Sequence, residues 1–305
     1  MLRKRPRVPL VVRLVSVGSL AVFAVACSSL PEEPEGALAR ETIFAVTGSM
    51  NLIKFNAGQP RRILDRKPVT GLAAGDRLIG MDFRVARGVL YALSAGGRLY
   101  TLDTASGALK PVGTAPAALP LTGSLFGIDF NPAADRIRVV SDSGFNLRLH
   151  PDTGAAVDGN AALDGLQPDT ALSFAAGDAL AGKQPALIAA AYTYNKKDEK
   201  ITTNYAIEQT TGSLVVQGSI EGVNPVVSPN TGILRTVGSL GSLGVSGITD
   251  AGFDIADVSG VAYAVLRTAT DTRSRLHLID LFTGRARAVG TVGDGAPLLG
   301  MAIEP

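Results

Sequence analysis

The sequence predicts an all-β chain folded as a β-propeller: five blades of four strands, with the N- and C-terminal strands pairing to close the ring. Three observations predict it. First, one motif recurs, as Ile79-Gly80-Met81-Asp82-Phe83, Phe126-Gly127-Ile128-Asp129-Phe130 and Ala251-Gly252-Phe253-Asp254-Ile255. Each copy runs into a second and a third short apolar strand, and a period of about 45 residues built only of strands marks a radial array. Second, short alternating runs and Gly-, Asn- and Asp-rich turns dominate, with no long amphipathic helix after the N-terminal leader. Third, the chain ends complement one another. Leu299 to Ile303 resembles an inner strand without successors. The runs 43–46, 52–55 and 61–64 resemble outer strands without an inner one. Pairing the two ends removes exposed sheet edges.

The leader comes first. Arg3, Lys4, Arg5, Arg7 and Arg13 form a basic region, and residues 14–26 are apolar or small, too short a run to span a bilayer. The run ends in Ala24-Val25-Ala26-Cys27, which resembles a bacterial lipobox, with Ala24 where Leu is usual. Residues 1–26 are therefore expected to be a lipoprotein signal peptide, and Cys27, the single Cys of the 305 residues, the lipidated residue. Residues 27–41 read as a tether, because Pro and Glu without periodicity favour an unpacked chain. Ser28 rather than Asp follows the Cys, and by the lipoprotein sorting rule this implies the outer membrane. With one Cys, no disulfide is available inside the chain.

Residues 42–305 read as one domain. The first full blade covers about 78–114 and the second about 125–158. A third starts at Ala171-Leu172-Ser173-Phe174 and runs to about 240, the fourth covers about 251–292, and the interval between Ser173 and Asp254 leaves room for a sixth. The turn Asp-x-x-x-Gly recurs at Asp103–Gly107 and Asp280–Gly284, with Glu208–Gly212 as a Glu variant. An acidic side chain there accepts backbone N–H bonds and the Gly takes positive φ, so these are hairpin corners.

Charge narrows the partners. The full chain has 29 Lys and Arg against 27 Asp and Glu. All five basic residues of the leader leave with it, so the mature chain has 24 against 27, a net −3. A mildly acidic domain without basic clusters argues against nucleic acid. Absence of Trp and a 5% aromatic content leave few stacking platforms for sugars.

Two groups of residues carry possible chemistry. Asp82, Asp129 and Asp254 recur at one inner-strand position, with Ser173 and Ala302 in the other two copies. A ring of carboxylates near a propeller axis suits a hard cation such as Ca²⁺. It equally suits hydrogen bonds to backbone N–H groups of a neighbouring strand. The second group is Asp129, Asn131, Arg136, Arg138, Asp142, Asn146 and Arg148, a polar patch able to read a carboxylate through paired guanidinium groups, or to form an ion-pair network between blades. His277 and His150 fall in different blades, His277 at a repeated and mostly aromatic position. No nucleophile elbow or phosphate loop is present in the sequence.

The stretch Phe126-Gly127-Ile128-Asp129-Phe130-Asn131-Pro132, with Asp135 to Asp142, Asn146 to Leu149 and Pro151 to Gly154, resembles the bacterial DUF4394 family. Ala190 to Thr193, Gly232 to Gly238, Gly252 to Ile255 and Gly300 to Ile303 extend the resemblance over nearly all of 42–303. Tyr194 and His150 depart from it, each standing where Asn is usual. The resemblance implies a secreted, propeller-like fold and brings no established reaction, ligand or catalytic residue. The residues thus point to a lipid-anchored envelope propeller, a non-catalytic module for a protein, glycan or small solute. The alternative is a divalent-metal-dependent hydrolase or lactonase acting through the Asp ring.

Overall fold

In a computed structural model describing residues 1–2, 33–238 and 241–305, each Gly-x-Asp repeat forms the innermost strand of a blade. Residues 3–26 of the leader and Cys27 lie outside the described residues. Residues 34–305 form one compact unit. In chain order the strands are β1 (Thr42–Thr47), β2 (Asn51–Asn56), β3 (Gln59–Pro68), β4 (Leu78–Arg84), β5 (Val89–Ser94), β6 (Leu99–Leu102) and β7 (Leu109–Pro111). Then come β8 (Phe126–Asn131), β9 (Arg136–Ser141), β10 (Asn146–Leu149), β11 (Ser173–Phe174), β12 (Leu187–Tyr192), β13 (Asn204–Glu208) and β14 (Ser213–Gln217). The last are β15 (Ile233–Thr236), β16 (Ile248–Ile255), β17 (Ala262–Thr268), β18 (Arg275–Ile279), β19 (Ala286–Thr291) and β20 (Leu298–Ile303). No α-helix occurs among the described residues, and none of their helical turns is long and apolar enough to cross a membrane.

Five sheets make a five-bladed β-propeller. The blades are β4 to β7, β8 to β10, β12 to β15 with β11, β16 to β19, and β20 with β1 to β3. The ring closes as expected: β20 pairs antiparallel with β1, Ala45 opposite Met301. The second blade has three full strands and one further bridge, Leu149 to Ala156.

The third blade differs from the sequence reading. Its inner strand is β12, and Ser173–Phe174 is instead the outermost strand, pairing parallel to β15. The physical reason is burial. All six residues of β12 are buried, as suits a strand packed on both faces, whereas Ser173 is exposed. The position equivalent to Asp in this blade is therefore Ala191, not Ser173.

Inner strands approach closely because Gly stands where neighbours meet. A Cβ at Gly127 would lie 2.6 Å from the Ala189 carbonyl carbon, and one at Gly300 would lie 2.9 Å from the Met81 nitrogen. The hairpin corners form as expected: Asp103 accepts from the amides of Ala105 and Ser106 at 2.7 and 3.0 Å. Asp280 does the same for Phe282 and Thr283 at 2.9 and 3.0 Å. The outermost strand β3 exposes Arg61, Arg62, Asp65 and Arg66, charges that discourage edge-to-edge association. Upstream of β1, the Ala39 amide donates to Asn56 at 2.9 Å, and Tyr263 donates to the buried Glu41 at 3.2 Å.

Candidate functional site

The inner-strand carboxylates meet at the axis. Asp82, Asp129 and Asp254 are buried, and ligand oxygens from all three lie within 4.8 Å of one another. Among the described residues they are the only such group of His, Cys, Asp and Glu. Each carboxylate also ties its blade to the next. Asp82 accepts from the Phe83 amide and from Phe130 of the second blade, both at 2.7 Å. Asp129 accepts from Tyr192 of the third blade at 2.7 Å. Asp254 accepts from Ile255 and from Ile303 of the fifth blade, both at 2.6 Å. Ala191 and Ala302 cannot make the equivalent bond, so three of the five junctions are stapled this way.

Three carboxylates in so dry a place oppose one another's ionisation. Burial pushes Asp82 up to about 7, while bonds from Phe130, Asp129 and Phe83 pull it back. Burial, then the charge of its neighbours, pushes Asp129 well above the ordinary carboxylate range, and Asp254 likewise. The interaction between the two side chains favours the proton on Asp129 over Asp82, raising the first and lowering the second.

Beyond the C-terminal ends of the inner strands the axis opens into a cavity of about 620 Å³. Loops from four blades line it: Arg84 and Arg87, Asn131 and Asp135, Tyr194 to Lys196 with Glu199, and Asp257 with Val258. Tyr194 is half-buried, and burial followed by Asp82, Asp129, Asp254 and Asp257 raises its hydroxyl pKa. The buried Arg84 is held by Asp135 and by Asp152, the latter at 2.6 Å. These pairs raise its pKa further. At the opposite end a cavity of about 120 Å³ runs between Gly80, Gly127, Gly252 and Gly300.

The polar patch divides. Arg138, 1% exposed, donates to Tyr192 at 3.2 Å, Asn146 at 2.8 Å, Asp169 at 2.5 Å and Asn230 at 2.6 Å. Arg148 joins it on Asp169 at 2.7 Å, and Asn146 also accepts from Gln217 at 3.0 Å. This network bridges the second and third blades. Arg136 instead bonds the Asp135 carbonyl, and Asp142 accepts from the Ser124 amide at 2.8 Å. Asn131 caps the turn through Ala133 and Ala134 and reaches the mouth cavity. Asp129 belongs to the axis. His277 is buried with Nδ1 2.9 Å from the Arg275 carbonyl, and His150 accepts from the Asp152 amide at 3.2 Å.

Sequence reasoning did not single out Arg84, Asp169 or Asp257, and read Asp152 only as a hairpin-turn residue. Arg84 had a usable signal, since it directly follows the repeated Gly-x-Asp-Phe motif.

Geometry therefore defines a five-bladed propeller with a stapled axis and a polar mouth. The chain belongs to the DUF4394 family, a domain of unknown function, matched over residues 51–302. No curated protein matches it. Three solved structures match at low identity. A Bacteroides thetaiotaomicron protein of unknown function is 14% identical with a TM-score of 0.45, the match covering 83% of this chain and 61% of that one. The Myxococcus xanthus glutaminyl cyclase is 13% identical with a TM-score of 0.47, covering 82% and 86%. A putative 6-phosphogluconolactonase from Bacteroides uniformis is 13% identical with a TM-score of 0.40, covering 83% and 82%.

Proposed function

We propose that this protein is a non-catalytic binding module, held at the outer membrane by a lipid on Cys27, that takes a small polar solute in the mouth cavity. The cavity carries the reading: about 620 Å³ lined by loops of four blades, with polar groups converging over the axis. That is the size and make-up of a small-ligand site. The carboxylates beneath it already accept backbone N–H bonds, a holding role that needs no turnover. Binding is tested by melting temperature against a panel of monosaccharides, sugar acids, amino acids and dipeptides. A bound solute raises it with concentration, and Tyr194→Ala abolishes the shift. Ester or lactone hydrolysis that disappears in a folded Asp82→Asn/Asp129→Asn variant overturns the reading. The anchor is tested separately: a fatty-acid label enters the wild-type chain and not Cys27→Ala.

The second reading, a divalent-metal-dependent hydrolase, draws on the oxygen atoms within 4.8 Å at the axis, a hard set of the kind Ca²⁺ takes. A fall in melting temperature on EDTA, reversed by Ca²⁺, favours it. No response leaves the carboxylates as staples.

A further inference from the structure

We propose that the mouth cavity selects an organic cation, an ammonium or guanidinium group seated against Tyr194 and Asp257. This rests on the reading of the mouth as a solute site and adds the class of solute.

Charges around the cavity are unevenly compensated. Arg84 is fully engaged by Asp135 and Asp152. Lys196 and Arg87 stand at the exposed rim, Lys196 donating to the Val258 carbonyl. Asp257 is half-buried, lines the cavity with Tyr194, and has no ion-pair partner among the described residues. Below lie the three carboxyl groups of the axis, whose ionisation burial opposes, so Asp257 is the carboxylate the proposal relies on. A cation placed here gains from the face of the aromatic ring and from the unpaired carboxylate at once. An anion in the same place meets the Asp257 carboxylate, while the neighbouring Arg84 is already paired with Asp135 and Asp152. A neutral sugar finds no Trp, and of the two aromatic residues lining the cavity Phe130 is buried, leaving Tyr194.

The test is calorimetric titration of the full-length chain with agmatine and tetramethylammonium, against glucose and glucuronate as comparators. Both cations are expected to bind more tightly than either comparator. Asp257→Asn is expected to weaken agmatine by about tenfold, with an unchanged melting temperature. Tyr194→Phe keeps the ring and is expected to retain tetramethylammonium, whereas Tyr194→Leu loses it. Equal affinity of agmatine for the wild type and Asp257→Asn overturns the proposal. Glucose or glucuronate binding better than the cations, in a Tyr194-dependent way, overturns the solute class and leaves the solute site standing. If none of the four binds the wild type, the cation class is overturned, and the solute site is decided by the melting-temperature panel.

Discussion

Asp129 accepts the Tyr192 amide of the next blade at 2.7 Å while only 2% exposed. Its value to the fold lies in the oxygen atom, not in a charge. Replacing it with Ala leaves a buried amide without an acceptor, a loss of about 1–3 kcal/mol. Asn keeps a carbonyl oxygen and removes an ionisation that burial and the neighbouring carboxylates oppose. Asp129→Asn should therefore stay within about 1 kcal/mol of wild type at pH 7. Urea midpoints check the order, and Ala equal to or above Asn would remove the staple as the explanation. The triad was legible in the sequence because it repeats at a fixed strand position. Asp169 was not, although it joins Arg138 to Arg148. It occurs once, in a segment between blades, so no periodicity marks it. Asp257, in the turn between β16 and β17, was missed because the equivalent turns hold no Asp at that place, and Tyr194 stood out only by departing from the family.

Inner strands depend on small residues where their backbones meet. A Cβ at Gly127 runs into the backbone of Ala189 at 2.6 Å, and backbone cannot swing aside. At Gly252 the first obstacle is Cγ of Met301 at 2.8 Å, part of a flexible side chain. Gly127→Ala is thus expected to cost at least the about 1–3 kcal/mol of an overpacked core, and Gly252→Ala distinctly less. Thermal unfolding of the two variants side by side measures the gap, and equal losses would refute this account. The same packing explains which strand the sequence hid. Four inner strands carry Gly at the close approach, and three of these add the Asp staple. In β12, Ala189 and Ala191 occupy those positions within a continuous buried run. A reading guided by the Gly-x-Asp signature therefore settled on Ser173, a two-residue edge strand. The fourth strand of the second blade was also faint, since it pairs with β10 through a single bridge, Leu149 to Ala156.

Across the whole molecule, two sets of carboxylates pull stability in opposite directions with pH. Asp152, held low by Arg84, and Asp271, held down to about 2 by Arg273, favour folding above the ordinary carboxylate range and lose that contribution as pH falls. Both are at least a third exposed, so solvent screens them. The axis behaves in the reverse sense. Asp82 moves from 3.8 up to about 7 on folding, and Asp129 and Asp254 also rise. The folded chain then binds more protons than the unfolded one. Stability from this source is complete below about 4 and is lost as pH rises through about 7. The groups facing the triad do not cancel the effect: Tyr194 stays neutral, Asp257 adds negative charge, and Arg84 is engaged elsewhere. Melting temperature should therefore peak at mildly acidic pH and fall between about pH 5 and 8. An Asp82→Asn/Asp129→Asn variant should lose most of that falling limb while keeping the acidic one. A limb that persists unchanged in the variant places its origin outside the axis. A divalent cation at the triad would change the sign, because it competes with protons and holds the carboxylates ionised. Added Ca²⁺ would then raise stability most at high pH, and EDTA would bring the falling limb back. The same titration, run with and without chelator, thus separates a protonated staple from a metal centre.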